Sequence, residues 1–132
     1  MSSLELQKAL VARLKADTGV TALVGTRVYD LPPPEPSYPY ISLGPDQTVP
    51  DRADCYDGKE VTLQVDAWSR SIGFPEVKRI AEAICAALDD APLSLTGQRL
   101  VDLYEADVRT MRDPDGATSH AALTFRALTE PV

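Results

Sequence analysis

The chain has 132 residues, a length typical of one domain with a two-layer core, and 44% of them are hydrophobic, which excludes a disordered chain. Its net charge of −7 argues against a protein that grips nucleic acid through the phosphates. No window approaches the roughly 20 apolar residues of a membrane span and no secretion signal opens the sequence, so we expect a soluble protein that is not exported.

The first predicted element is an amphipathic helix that ends near Asp17. Ser2 and Glu5 have the spacing of a capping box at its start. Its apolar stripe is formed by Leu6, Leu10, Val11 and Leu14. Gly19 is expected to provide the left-handed cap, and one further turn ends at Gly25.

A short strand at residues 27–31 leads into residues 32–36, where four prolines favour an extended surface connection. A strand resumes at residues 38–43, and Pro39 at its start is consistent with a sheet edge. Residues 44–59 have no apolar periodicity, so we predict a long extended loop there. Loops of this length in compact domains are usually functional or mobile, which makes this one a candidate partner surface; a plain solvated connection is the alternative.

Residues 60–88 are the stretch around which the chain is organised. The odd positions from 61 to 67 are apolar and the even positions are polar, which predicts a half-buried strand in the centre of a sheet. The period then changes to that of a helix, with Pro75 in its first turn. The apolar stripe of this helix consists of Phe74, Val77, Ile80, Ala81, Ile84, Cys85 and Leu88.

Residues 100–111 and 119–129 predict a closing hairpin around the turn at 112–116. The second strand alternates cleanly, whereas the first changes phase, and a bulge near Tyr104 and Glu105 would reconcile its two halves. The order of elements predicts one α+β domain over residues 1–132. It is a two-layer fold with a mostly antiparallel mixed β-sheet, two α-helices on one face and the long extended loop.

Motifs of catalysis and cofactor binding are missing from the sequence. The glycines are too widely spaced for a phosphate-cradling loop, and His120 is the only histidine. Cys55 and Cys85 have neither zinc-site nor disulfide-framework spacing, which favours a reducing compartment. We therefore expect no enzyme, no cofactor and no metal site. Trp68 and the tyrosines are more typical of packing or of an interface, although a small ligand-binding or regulatory α+β domain is the alternative.

Five segments, in their order and spacing, carry a family resemblance. They are the helix with Leu6, Leu10 and Leu14, residues 21–29, residues 38–44, residues 61–71 with Trp68-Ser69-Arg70, and Arg112-Asp113-Pro114-Asp115-Gly116. Together they resemble the tail-completion or tail-terminator proteins of long-tailed phages, and most closely the versions in phage-like gene transfer agents. The resemblance spans nearly the whole chain.

The resemblance implies a structural virion protein that forms a hexameric ring, terminates the tail tube and joins it to the head-side connector or stopper protein. DNA would pass through the lumen without specific binding, and a negative channel wall suits that passage. The protein would be assembled in the bacterial cytoplasm, without a membrane, and sit at the head–tail junction of the particle.

A ring requires a heterologous contact, for which strand edges such as residues 38–43 are available. The predicted interface or lumen positions are Tyr38, Tyr40, Asp46, Asp51, Arg52, Asp54 and Asp57.

Overall fold

The computed structural model describes residues 2–53 and 56–132. The helices are α1 (Ser2–Ala16), α2 (Thr18–Val24) and α3 (Pro75–Leu88). The strands are β1 (Val28–Tyr29), β2 (Tyr40–Ala53), β3 (Tyr56–Ser69), β4 (Gln98–Arg112) and β5 (Ser119–Pro131). None of the described helices is long and apolar enough to cross a bilayer.

The strands form one mixed sheet in the order β1-β2-β3-β5-β4, in which only the β1–β2 pair is parallel. The predicted α+β class is confirmed, and β3 lies in the centre of the sheet as its alternating pattern indicated. Helices cover one face of this sheet. No helix of the described residues lies on the other face, which we call the open face.

The core lies between the helices and the odd-numbered side chains of β3 and β5. The predicted stripe of α1 is buried at Leu6, Leu10 and Leu14, and the stripe of α3 packs against the same cluster. From the sheet, the fully buried side chains include Val65, Leu123 and Phe125. Their burial confirms the periodicities of α1, α3, β3 and β5, because each stripe faces apolar neighbours.

The connection after α1 corrects the predicted cap. Gly19 does not end a helix but lies inside α2, which is a separate helix and raises the number of helices from two to three. Asp17 caps α2, since its carboxylate Oδ1 accepts a hydrogen bond from the Val20 N–H at 3.1 Å. The further turn does end at Gly25, as predicted, with a φ of 60°.

The predicted loop over residues 44–59 is wrong, because these residues form the outer half of a long β2–β3 hairpin. Their strands pair from Asp46 with Leu63 out to Ala53 with Tyr56. Between Lys59 and the turn, no described residue of β5 pairs with β3. Residues 45–50 of β2 are all exposed, so they meet little of the core and do not alternate. A bulge after Leu43 shifts the phase of β2 as well.

The two outer strands leave open edges on opposite sides of the sheet. Short β1 pairs only with Ile41 and Ser42, so the open edge of β2 begins at about residue 43, the last residue of the predicted 38–43 segment. On the other side β4 is the last strand. Its register shifts twice, and the shift between Glu105 and Asp107 matches the predicted bulge.

Candidate functional site

A row of rings crosses the open face near the start of β2, and we call it the aromatic cluster. Its members are Tyr29, Tyr38, Tyr40, Trp68 and His120. The strand register places three of them side by side, because Tyr40 pairs with Trp68 and Trp68 pairs with His120. The Trp68 and His120 rings are stacked, with centroids 3.8 Å apart and planes inclined by 10°. The other neighbouring centroids are 5.1 to 6.1 Å apart.

A buried carboxylate fixes the orientation of this row. Asp66 is 5% exposed, and its Oδ1 lies 2.6 Å from Nε2 of His120 and accepts a hydrogen bond from the Gln64 amide at 2.8 Å. The Trp68 indole N–H donates to Ser42 Oγ at 2.9 Å. Each buried polar group therefore has a partner, which avoids the cost of an unsatisfied one.

The bulge of β2 leaves room for this network because it carries a glycine. A Cβ atom on Gly44 would lie 2.9 Å from Oδ2 of Asp66 and 2.9 Å from Cβ of Gln64. Gly44 has no positive φ, so its role here is close approach and not backbone freedom.

Arg70 adds a positive charge at the margin of the aromatic cluster. Its guanidinium carbon lies 4.4 Å from the centroid of the Tyr38 ring, and its Nε donates to Thr118 Oγ1 at 3.2 Å. Asp115 stands 3.9 Å away, and its pKa is lowered by hydrogen bonds from the backbone N–H groups of Ala117 and Thr118. Arg70 is thus held in place although its side chain is 55% exposed.

An exposed isoleucine lies beside these groups. Ile72 is 97% exposed in the connection between β3 and α3. It lines a cleft of about 300 Å³ together with Arg70 and Arg112. The Arg112 guanidinium stacks 4.1 Å over the Phe74 ring. Arginines placed against aromatic rings beside an exposed apolar side chain are typical of protein interfaces.

The chemistry of the cluster does not indicate catalysis. Burial, and then the neighbouring Tyr38 and Asp113, raise the pKa of Tyr40 to about 12, so its hydroxyl stays protonated. Among the described residues no serine or cysteine side chain hydrogen-bonds to His120, so a nucleophile–base pair is missing there. The described part of the chain also contains no group of three His, Cys, Asp or Glu residues that could hold a metal ion.

Apart from Asp46, the predicted interface or lumen residues fall into two sets at the two ends of β2. Tyr38 and Tyr40 belong to the aromatic cluster. Asp51, Arg52 and Asp57 lie at the turn end of the hairpin, where Asp51 pairs with Gly58 and Arg52 pairs with Asp57. Asp54 lies outside the described residues. The fold therefore does not bring the two sets together, since Tyr40 and Asp51 are about 35 Å apart at roughly 3.3 Å per strand residue.

Asp46 belongs to neither end. It is exposed just after the bulge, where β2 pairs with Leu63 of β3. Together with Ser3, Gln7 and Asp30 it lines a cavity of about 50 Å³ beneath α1. Such a volume admits one or two water molecules and not a metabolite.

Sequence reasoning treated Trp68 as a packing or interface aromatic and assigned His120 no role in a site, and it missed the network with Asp66. The even numbering of all three did place them on the face opposite the core, because side chains alternate along a strand. Their contact depends on the register between β3 and β5, which pairs Trp68 with His120 and Asp66 with Ala122. No local signal gives that register.

The described residues form an α+β subunit that offers several surfaces for contacts with other proteins. Its prominent features are two open strand edges, an aromatic cluster with stacked arginines and a projecting hairpin.

Comparisons with known proteins give the family. The family model "Tail completion protein gp17" matches residues 8–130, and the chain belongs to this family of structural tail proteins, which is not an enzyme family. The tail completion protein gp17 of Bacillus phage SPP1 is 25% identical over 96% of this chain and 92% of its own length.

Solved structures agree with that assignment. A chain in the virion of a native gene transfer agent particle superposes with a TM-score of 0.90 at 33% identity, covering 97% of this chain and 96% of its own. The structure of bacteriophage SPP1 gp17 gives a TM-score of 0.66 at 24% identity, covering 96% of this chain and 89% of its own, and shows the common fold.

Proposed function

We propose that the protein forms a hexameric ring that closes the finished tail tube and joins it to the head-side connector or stopper protein, with DNA passing through the lumen. The observation that carries this proposal is the likeness, over nearly the full length of both chains, to a chain of a gene transfer agent virion. On this proposal the protein has no catalytic activity, is assembled in the bacterial cytoplasm and resides at the head–tail junction.

The two open edges of the sheet support a ring. They belong to β2 and β4, which lie on opposite sides of the sheet and differ in sequence. Contacts between unlike surfaces on opposite sides of a subunit repeat from copy to copy, and they close into a ring when the rotation permits. A contact of a surface with itself would stop at a dimer.

The charge of the chain supports passage of DNA without specific binding. A net charge of −7 repels phosphates, and we assign the aspartates at the turn end of the β2–β3 hairpin to the lumen or to a partner face. The set comprises Asp51, Asp54 and Asp57, with Arg52 between them.

The ring is tested by measuring the mass of the purified protein by light scattering over a wide range of concentrations, with electron microscopy of the largest species. The same measurement is repeated after addition of purified tail tubes. A species of six subunits with sixfold images is expected in at least one condition. A monomer that neither forms rings nor binds tail tubes would overturn the proposal.

The hairpin assignment has a separate test in particles. Reversal of the exposed Asp57 to lysine should change the free energy of unfolding by only about 0.5 kcal/mol, as exposed substitutions usually do. The triple reversal of Asp51, Asp54 and Asp57 should leave the protein folded, which thermal unfolding checks, yet reduce DNA transfer. Asp57→Lys and Glu35→Lys form a matched pair of single reversals, because both side chains are exposed and Glu35 lies far from the hairpin in sequence. Equal particle yield and DNA transfer in all variants would mean that the hairpin is only a solvated projection.

A further inference from the structure

A groove runs between α3 and β4, and we call it the α3–β4 groove. Its volume is about 400 Å³. Its floor is formed by Ala81 and Cys85 of α3 with Val108 of β4, and Glu82 and Glu105 rise at its rim. Ala81 and Cys85 are four residues apart, so they lie on one face of the helix. The groove thus offers an apolar floor between exposed carboxylates.

The groove is acidic as well as apolar. Burial, and then the neighbouring carboxylates of Glu105, Asp89 and Glu82, raise the pKa of the Cys85 thiol to about 12. One positive group, Lys78, stands at the same groove, with its ammonium 5.7 Å from the Phe74 ring. The lining of the groove holds two carboxylates, those of Glu82 and Glu105, against the one ammonium of Lys78, which leaves the groove negative.

The opposite side of the subunit carries a surface of complementary chemistry, which we call the α1 flank. It consists of Lys8, Val11, Ala12 and Lys15 of α1 with Val28 of β1, around a depression of about 430 Å³. Positions 8, 11, 12 and 15 recur at helical spacing, so they share one face. Leu4, half exposed one turn earlier, extends that face.

The residues that line the α1 flank include two lysines, Lys8 and Lys15, against one carboxylate, that of Asp30. Lys15 is exposed, and Lys8 bonds to Glu5 of its own helix at 3.2 Å across an exposed surface. Such an exposed pair contributes little and can exchange partners. The Asp30 carboxylate accepts a hydrogen bond from Gln7 at 3.2 Å.

We propose that the α1 flank of one copy packs into the α3–β4 groove of the next copy, with Lys8 and Lys15 facing Glu82 and Glu105. This inference rests on the proposed ring and names the contact that repeats around it. The two surfaces lie at opposite sides of the sheet, since α1 packs near β1 and β2 whereas the groove borders β4. A symmetric dimer through either surface would bring like charges together, so the unlike pairing is favoured.

Two charge-reversed variants test the contact. The groove variant carries Glu82→Lys and Glu105→Lys, and the flank variant carries Lys8→Glu and Lys15→Glu. In either variant alone the contact brings like charges together, and association between copies should weaken at least about tenfold. In a one-to-one mixture each groove meets an opposite flank, so alternating rings of equal composition should return. Glu35→Lys serves as a reversal outside both surfaces and should assemble like the wild type.

The outcomes separate the contact from the ring itself. The contact would be overturned if rings persist in both variants, or if a mixture of the two folded variants stays unassembled. Either result would leave the ring proposal standing. If the wild type forms no ring, either alone or with purified tail tubes, the ring proposal fails, and association of the two variants in the analytical ultracentrifuge still decides the contact. Thermal unfolding shows that each variant is folded, and the neutral pair Glu82→Gln and Glu105→Gln replaces the groove variant if that one unfolds.

Discussion

Gly44→Ala should destabilise the protein because the added Cβ would clash with β3, without any strain from the backbone conformation. The added Cβ would lie 2.9 Å from both Asp66 Oδ2 and Gln64 Cβ. Gln64 Cβ is attached to the backbone of β3 and cannot swing aside, while the Asp66 carboxylate is held by His120 at 2.6 Å. Either β2 moves or the carboxylate turns away, and overpacking of this kind costs about 1–3 kcal/mol.

Whether the clash is relieved by a shift of β2 or by loss of the hydrogen bond between Asp66 and His120, we expect a cost of about 2–3 kcal/mol. An unfolding entropy of about 2.1 cal/mol/K per residue converts this to a fall in Tm of roughly 7–11 °C for a chain of 132 residues. Trp68 is the only tryptophan and stacks on His120, so its emission should change as well.

Gly116→Ala is the control for that experiment. Gly116 has a φ of 73°, and a Cβ added there would meet no atom within 4 Å, so its substitution strains the backbone without a clash. That strain is about 1–2 kcal/mol, or roughly 4–7 °C. A loss for Gly44→Ala no larger than that of Gly116→Ala, with unchanged Trp68 emission, would refute the argument from close approach.

Three further predictions concern buried polar groups. Because the pKa of Cys85 is raised to about 12, only about one thiol in ten thousand is ionised at pH 8. In a Cys55→Ser variant, where Cys85 is the remaining thiol, an aromatic disulfide reagent should therefore react slowly until denaturant is added. A group whose pKa is higher in the folded than in the unfolded state stabilises the fold below its unfolded pKa and loses that effect as the pH rises. The free energy of unfolding should therefore fall between about pH 9 and 12, where Cys85 and Tyr40 ionise more readily in the unfolded chain. A Cys85→Ala variant whose stability falls with the same slope between about pH 9 and 10 would contradict this. His120→Ala leaves the buried Asp66 with one partner fewer and should cost about 1–3 kcal/mol in chemical denaturation, and a cost near zero would mean that water replaces the imidazole without loss.

The core could be predicted from the sequence because each of its stripes is local. Val61, Val65 and Ala67 alternate with polar residues, and the α3 stripe repeats at helical spacing, so one strand or helix suffices to assign its buried side. The helix α2 is harder to predict because its capping aspartate, Asp17, also fits the end of α1. It is in fact the start of a second helix.

The candidate site was harder to predict because its contacts are not local. The outer half of the β2–β3 hairpin is held by backbone pairing, and its sequence carries no alternation because it meets little of the core there. The pairing of Trp68 with His120 joins residues 52 positions apart, and only the three-dimensional register brings them together. Tyr38 and Tyr40 are among the predicted interface residues, whereas Arg70 and Ile72 beside them are not. Arg70 and Ile72 lie in a connecting segment, where no periodic pattern in the sequence indicates which side chains are exposed.

The placement of these surfaces limits how a ring can be built. The aromatic cluster and the hairpin turn occupy the two ends of β2, about 35 Å apart, so they cannot take part in the same contact. The α1 flank and the α3–β4 groove lie at the two sides of the sheet, across the strands. If neighbours in the ring meet side to side, the strand ends are left to face the tail tube and the head-side connector. We therefore expect the long strands to run roughly along the ring axis, and electron microscopy maps with strands lying around the circumference would contradict this arrangement.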